Sequence, residues 1–399
     1  MLSIKNIYRI GPGPSSSHTI GPKKAVEYIL NHYSNIDFVK MTFYGSLAHT
    51  GKGHLSDLIA DRTFGELPHQ IIFDYETKTR HPNTMIFELY KNQKLIKKVT
   101  ILSIGGGLIK VNNKEEEKLT DCYKEENFTS IKKYCKEHNL SLIDYIYQNE
   151  DDDIFQFGSF IVDKMISVIE SGLNKDGVLP GKLRVQRKAK EIYNHIGKNE
   201  SDDIKEKRLV SAYAFATSEE NASGQEIVTA PTCGASGIIP SLVKYQLDKN
   251  VDRKKVIEGL LVAGLIGTII QHNASISGAE CGCQAEIGSA SAMGAAMLAY
   301  IDNQDIDGIE RASEISLEHS LGLTCDPVEG YVQIPCIERN ALGAIRSITS
   351  CSLSKFMEGI SSKINLDIAI ETMYQTGKDL NRRYKETSKG GLAKNYYLK

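Results

Sequence analysis

Hydrophobic and polar positions follow two different periods along this 399-residue chain. In the first part, Val39, Met41 and Phe43 alternate with Lys40 and Thr42, the period-two pattern of a strand with one buried face. Residues 85–90 and 95–104 read as two further strands joined by the polar turn Lys91-Asn92-Gln93-Lys94. Residues 25–32 read as a short helix behind the start signal Gly21-Pro22. A charged stretch over 114–126 reads as a solvated connection, and an acidic run at 149–153 precedes a change to helical periodicity. Ile161, Met165 and Val168 then share one helix face, with Val162, Ile166 and Ile169 beside it and Gly172 placed to end the element. Residues 198–208 read as a charged loop. Residues 256–270 are apolar nearly all round, which predicts a helix at the centre of a bundle. Residues 287–300 carry many small side chains, which let neighbouring helices approach closely. No internal repeat or low-complexity tract interrupts the pattern. The expected fold class is α+β, with a small N-terminal α+β domain over 1–150 and a larger all-α domain over 151–399.

Composition narrows the classes of function. With 48 Lys+Arg against 50 Asp+Glu, 41% hydrophobic and 25% charged residues, the chain has the balance of a folded protein rather than a disordered one. It lacks the basic excess of a nucleic-acid or membrane-surface binder, so neither partner is expected. The start, Met1-Leu-Ser-Ile-Lys-Asn, has no basic stretch followed by an apolar core, so no signal peptide is expected. The stretch 259–279 is uncharged apart from His272, but only its first half is apolar, which suits a buried core helix better than a membrane span. A cytoplasmic location follows as the expectation. The eight cysteines would then signify metal, redox chemistry or packing rather than disulfides.

Generic cofactor signatures fail on inspection. Residues 45–53 (GSLAHTGKG) have the wrong spacing for a phosphate loop and place Gly53 where Ser or Thr is required. Gly11-Pro12-Gly13 lacks the third glycine of a dinucleotide fingerprint, and no His-Glu-x-x-His occurs. Cys283, Cys325 and Cys336 each lie beside Gly or Pro, where backbone can approach a bound group closely. Their separations of 42 and 11 residues match no generic zinc or ferredoxin pattern, so spacing alone leaves buried free thiols and metal ligands both open. Cys122, Cys135, Cys233, Cys281 and Cys351 read as ordinary thiols, with Cys281 close enough to Cys283 to compete as a ligand. The loop holding Ser15, Ser16, Ser17, His18 and Thr19 runs into a helix, and its hydroxyls and backbone N–H groups suit a carboxylate or phosphate. A helix cap with a solvent-facing histidine explains the same composition. Residues 44–54 (YGSLAHTGKGH) follow a strand and add His49 and His54. Polar stretches at 221–224, 229–237, 273–277 and 385–391 either cap helices or line a pocket, and 103–107 reads as a turn at a strand end.

Taken in order, GPSSSHTIGP at 13–22, YGSLAHTGKGH at 44–54, SIGGG at 103–107, GVLPGKLRV at 177–185, TAPTCGASG at 229–237, NASISGAECGCQ at 273–284, LGLTCDPV at 321–328, QIPCIERNA at 333–341 and ETMYQTGKDLNRRYKETSKGGLA at 371–393 carry a family resemblance. The chain resembles the bacterial iron–sulfur L-serine dehydratases (L-serine ammonia-lyases) in their single-chain form, almost end to end. The resemblance implies a β-chain-like N-terminal domain and an all-helical catalytic domain. It implies a [4Fe–4S] cluster held by Cys283, Cys325 and Cys336, with one open iron acting as Lewis acid in converting L-serine to pyruvate and ammonia. In that chemistry His54 is the expected base, with His18, Ser15 and Ser17 orienting the substrate carboxylate. Ser16, Thr19, Lys52, Thr229 and Asn273 are the further expected substrate contacts. A homodimer, a small-molecule substrate and a place in amino-acid catabolism and gluconeogenesis follow from the same resemblance. A related lyase acting on cysteine, or a cluster-bearing sensor that binds serine without turnover, are the alternatives; nothing marks a pyridoxal-phosphate lysine. Three departures stand out. The connection between Asp61 and Met85 is shorter than in many longer relatives, residues 395–399 hold no cysteine for the fourth iron, and no C-terminal regulatory module is expected.

Overall fold

The period-two segments become one six-stranded sheet in a computed structural model that describes residues 1–112, 114–115 and 121–398. The strand Phe38–Tyr44 buries Val39, Met41 and Phe43 on one face, as alternation requires. Fully burying each such side chain contributes about 1.5–3 kcal/mol. Phe38–Tyr44 pairs in parallel with His69–Asp74 and antiparallel with Thr84–Lys91, which pairs antiparallel with Lys94–Gly105. The last two strands form the expected hairpin, and Asn92 and Gln93 both take positive φ (47° and 62°), the backbone of a tight two-residue hairpin turn. Leu108–Val111 and Lys114–Glu115 complete the sheet. Residues 116–120 of the charged stretch, like Lys399, lie outside the described residues. The helix Gly21–His32 covers the buried face with Ala25, Val26 and Ile29. This compact unit comprises Gly11–Leu119 with Ser223–Glu226.

The second unit, Met1–Ile10 with Thr120–Ala222 and Ile227–Lys399, is mostly helical. Its central helix, Arg253–Asn273, is buried from Val256 to Ile270 except at Glu258. By length and composition alone this helix passes for a membrane span, but 78% of its apolar window is buried within the protein, as a core helix should be. The small-residue helix Ser289–Ile301 is buried along nearly its whole length. Its Gly294 leaves room for Leu242 and Ser347, whose side chains would stand 2.6 Å from an added Cβ.

Three expectations change in the structure. Residues 202–208 are not loop but the first two turns of Asp202–Ala222, where Asp202 and Asp203 favour the positive end of the helix dipole. The acidic run at 149–153 lies inside the helical unit: Glu150 accepts from Ser3 Oγ, Ile4 N–H and Tyr123 Oη, and Asp151 and Asp153 pair with Lys5. Gly172 does not end its helix, which runs from Ile154 to Leu173. It is a close-approach point, because a Cβ there would sit 2.5 Å from the Ala216 carbonyl oxygen and 2.8 Å from its Cα.

That contact sets a stability prediction. Alanine at 172 gains roughly 1 kcal/mol of helix propensity, while displacing a neighbouring backbone costs about 1–3 kcal/mol. The upper end applies because backbone cannot swing aside as a flexible side chain can. Gly172→Ala is therefore expected to lower stability by about 1–2 kcal/mol, seen as a lower urea midpoint at unchanged slope. A midpoint equal to the parent's would remove packing as the reason for this glycine.

Candidate active site

In the α+β unit, two separate motifs deliver two histidines to one spot. Ser15 precedes a turn of π-helix, Ser16–Ile20, that runs directly into Gly21–His32. The second motif leaves the strand Phe38–Tyr44 through Gly45, whose φ of 58° and 2.4 Å approach to the Pro82 carbonyl oxygen (measured from a built Cβ) exclude any side chain. The helix Ser46–Thr50 follows, and His54 comes just after it. The rings of His18 and His54 stack with centroids 4.5 Å apart, and both residues are buried at 4% and 1% exposure.

Hydrogen bonds decide which nitrogen carries a proton. His54 Nδ1 lies 3.0 Å from the Thr50 carbonyl oxygen, which can only accept, so Nδ1 is the protonated nitrogen and Nε2 holds the lone pair. His18 Nε2 lies 2.8 Å from Thr50 Oγ1, whose own proton is directed to the Ser46 carbonyl oxygen. Thr50 Oγ1 therefore accepts from His18 Nε2–H, and His18 Nδ1 accepts from Ser17 Oγ at 2.9 Å. Ser15 Oγ lies 3.4 Å from both Ser17 Oγ and His18 Nδ1, and Ser46 Oγ 3.3 Å from His18 Nε2. Burial lowers the pKa of both histidines, well below the ordinary value for His18, which also feels His54. Both rings are thus neutral at pH 7.

The helical unit gathers the three singled-out cysteines. Cys283 follows Gly282, whose positive φ of 77° turns the chain out of the short helix Gly278–Cys281. Two bonds stitch this loop to the next one: Gln284 N–H donates to the Leu323 carbonyl, and Gly322 N–H to Gln284 Oε1. Cys325 is held by backbone bonds to Tyr384 and Glu386 (2.8 and 2.7 Å), and Cys336 opens the helix Cys336–Phe356. The thiols of Cys283 and Cys325 share a hydrogen bond. That bond, with Arg339 beside Cys283, holds Cys283 toward thiolate, while the same bond and burial push Cys325 up; burial also raises Cys336. Arg339 is anchored by Thr324 O at 2.5 Å and Asp326 at 3.6 Å. A Cβ at Gly278 would lie 3.1 Å from Cys325 Sγ and 2.6 Å from Glu286 Oε2, so glycine opens room beside the thiols. Two buried thiols and a half-buried one, a facing guanidinium and this opening make a donor set of the kind an iron–sulfur cluster takes. Among the described residues no three His, Cys, Asp or Glu side chains converge as ligands of a single ion, a convergence that a polynuclear cluster does not need.

The remaining predicted site residues fall in different settings. Ser16 is half-buried at the start of the π-turn, and Lys52 is exposed with its ammonium 5.3 Å from the Phe73 ring centroid. The Thr19 hydroxyl is spent on the Pro12 and Ser15 carbonyls. In the helical unit, Thr229 Oγ1 donates to Ile7 O and accepts from Arg9 N–H, while Asn273 Nδ2 donates to the Glu126 and Ile269 carbonyls. Those three side chains therefore hold backbone. Cys281, two residues from Cys283, packs against Gly377, where an added Cβ would stand 2.7 Å from its Sγ. All eight cysteines are free. Sequence reasoning missed Ser46 and Thr50, although both lie in the motif that supplied His54. It also missed Glu286, a half-buried carboxyl bonded to Thr232 Oγ1 and pushed up to about 8 by desolvation and by the nearby Glu386. Its only sequence signal was an acidic residue three positions after Cys283.

Comparison with known proteins adds an independent line. Residues 103–393 match the family model described as serine dehydratase alpha chain, and residues 3–60 the one described as serine dehydratase beta chain. The chain is 39% identical over 450 residues to an L-serine dehydratase of Helicobacter pylori, covering 98% of both chains. It is 37% identical over 451 residues to an L-serine dehydratase of Haemophilus influenzae, covering 98% of this chain and 99% of that one. To L-serine dehydratase 2 of Escherichia coli it is 36% identical over 449 residues, covering 98% of both. These aligned lengths exceed the 399 residues of the chain, so the relatives carry segments that it lacks. With both models matched in one polypeptide and the similarity running from end to end, the chain belongs to the serine dehydratase family.

Proposed function

We propose that this chain is an L-serine ammonia-lyase that converts L-serine to pyruvate and ammonia, with a [4Fe–4S] cluster held by Cys283, Cys325 and Cys336. The observation that carries the mechanism is the stacked, buried pair of neutral histidines with opposite tautomers. The reaction must remove a weakly acidic Cα proton and expel hydroxide, a poor leaving group. When bound, the cluster supplies a Lewis-acidic iron that stabilises the departing oxygen.

The chain's own residues do the rest. His54 takes the Cα proton at Nε2, the nitrogen that its bond to Thr50 leaves basic. The Thr50 carbonyl then steadies the imidazolium by keeping its bond to Nδ1–H. His18 is a poorer base, because Ser17 occupies its Nδ1 and Thr50 its Nε2–H. It acts instead with Ser15, Ser16 and Ser17 to orient the substrate carboxylate, and Lys52 adds positive charge. Thr19, Thr229 and Asn273 shape backbone rather than touch the amino group, a role their hydrogen bonds support. The proton held on His54 leaves with the hydroxide as water. The resulting aminoacrylate tautomerises to an imine, which hydrolyses to pyruvate and ammonia. The same reading includes a cytoplasmic homodimer working in amino-acid catabolism; eight free thiols support the reducing compartment.

Anaerobically purified protein should release pyruvate from L-serine, lose that activity in air, and regain it with iron, sulfide and reductant. Faster turnover of L-cysteine would instead make it a desulfidase, and cluster absorbance without pyruvate from either amino acid would leave a sensor. Cys283→Ser, Cys325→Ser and Cys336→Ser should each lose iron and acid-labile sulfide, whereas Cys281→Ser should keep both; iron retained in the first three variants would remove the assigned ligands. His54→Ala should lower kcat by roughly 10²–10⁴-fold, and near-normal turnover in that variant would transfer the base role to His18. Because burial lowers the His54 pKa, its basic form persists to lower pH than that of a free histidine. The acid limb of kcat/KM should therefore fall below pH 6.5, the ordinary histidine value, and a limb centred above it would contradict the assignment.

A further inference from the structure

We propose that Arg339 is a positioning residue of the cluster site, holding the three cysteine segments in register and raising the reduction potential of the cluster they bind. The inference rests on the cluster reading above and adds to it a residue that is not a ligand.

One side chain reaches all three segments. Arg339 lies in the first turn of the helix Cys336–Phe356, three residues after Cys336, so the two share a face. Its Nη1 donates to the Thr324 carbonyl at 2.5 Å, and its Nη2 stands 3.6 Å from Asp326 Oδ1. Thr324 and Asp326 flank Cys325 on either side. The same guanidinium faces the Cys283 thiol. Gln284, by comparison, joins the Cys283 segment to the Cys325 segment but does not reach that of Cys336. Arginine suits the task because its N–H donors spread from one rigid plane, whereas lysine offers a single point charge on a flexible stem.

The guanidinium is itself aimed. Asp326 is 2% exposed, and its Oδ2 accepts from Leu392 N–H while its Oδ1 accepts from Thr324 Oγ1 at 3.2 Å. Leu392 can approach because residue 391 is glycine: its φ is 54°, and an added Cβ would stand 1.9 Å from Asp326 Oδ2. A carboxylate fixed from two sides orients its partner as well as pairing with it.

Charge gives the second part of the role. Apart from the thiols themselves, the charged groups that weigh most on the three cysteines are Glu286, Glu386 and Arg339. Two of these are acids, and arginine keeps its positive charge at any working pH. In a half-buried position that charge is screened less than at an open surface. A cation beside a ligand sulfur favours an added electron, because cluster potentials follow net charge and hydrogen bonding at the sulfurs.

The test uses the anaerobically prepared holoenzyme, with iron and acid-labile sulfide counted and the potential read by a redox titration followed by electron paramagnetic resonance. Arg339→Gln removes the charge and should make reduction about tenfold less favourable, a fall of about 59 mV for one electron. Arg339→Lys keeps the charge and should keep the parent potential. Both variants should release iron to a chelator roughly tenfold faster than the parent, because neither side chain spans the three segments. A residue that only supported folding would speed iron loss without moving the potential, so an unchanged potential in Arg339→Gln would overturn the proposal. Parent-like iron release in Arg339→Lys would overturn it equally. Should Arg339→Gln fail to fold, Arg339→Met, which keeps an apolar stem, carries the same expected fall in potential. A parent protein without iron and sulfide would overturn the cluster reading as a whole, whereas a loaded parent with unshifted variants would remove only the role of Arg339.

Discussion

Removal of His54 from water is the constraint on which the proposed chemistry depends. A buried imidazole is held neutral, and neutrality gives it a lone pair to offer. Burial also demands that its N–H be satisfied, and the Thr50 carbonyl four residues back does so at 3.0 Å. That one bond settles the tautomer and the orientation of the ring together. Stacked 4.5 Å away, His18 is constrained more heavily, with a hydroxyl on each ring nitrogen. Two residues of one chemical type are thereby made different, and the proposed roles of base and orienting group rest on that difference.

The cysteine loops rest on a comparably rigid support. Cys283 leads through the π-turn Gln284–Gly288 into Ser289–Ile301, one of the most deeply buried helices of the unit. Cys336 begins another long helix, and Asn340 ties it to the polar loop at 229–237 by donating to Gly234 O and accepting from Gly237 N–H. The stretch 384–386 clasps Cys325 from a third direction. Loops normally buy mobility at the expense of precision; here hydrogen bonds between distant segments restrict all three. Positioning thiols on such restrained loops lets a bound group be held without reorganisation.

Much of the secondary structure was legible because burial on one face writes a period into the chain. The alternation at 39–43 became a strand, and the apolar run at 256–270 became the central helix. Misreadings occurred where local signals have two meanings. Charged residues at 202–208 suit a loop or an exposed helix start, and only the packing of the rest of Asp202–Ala222 selects the helix. Gly172 suits a helix terminus or a close crossing, and the nearness of Ala216 selects the crossing. Polar residues in motifs were similarly ambiguous: Thr19, Thr229 and Asn273 turned their side chains to backbone carbonyls, an arrangement that depends on segments far away in sequence.

The sequence by itself determined the family, the α+β-then-helical order of elements, and the residue types available for the chemistry. Those properties are written in local pattern and in motif order, both of which survive without coordinates. Tertiary structure alone decided which histidine nitrogen is basic, that Cys281 turns to Gly377 beside a Cys283 that meets Cys325, and that Glu286 lies half-buried near those thiols. Protonation state and tautomer follow from desolvation and from partners brought together by folding, and neither is a property of a residue in isolation.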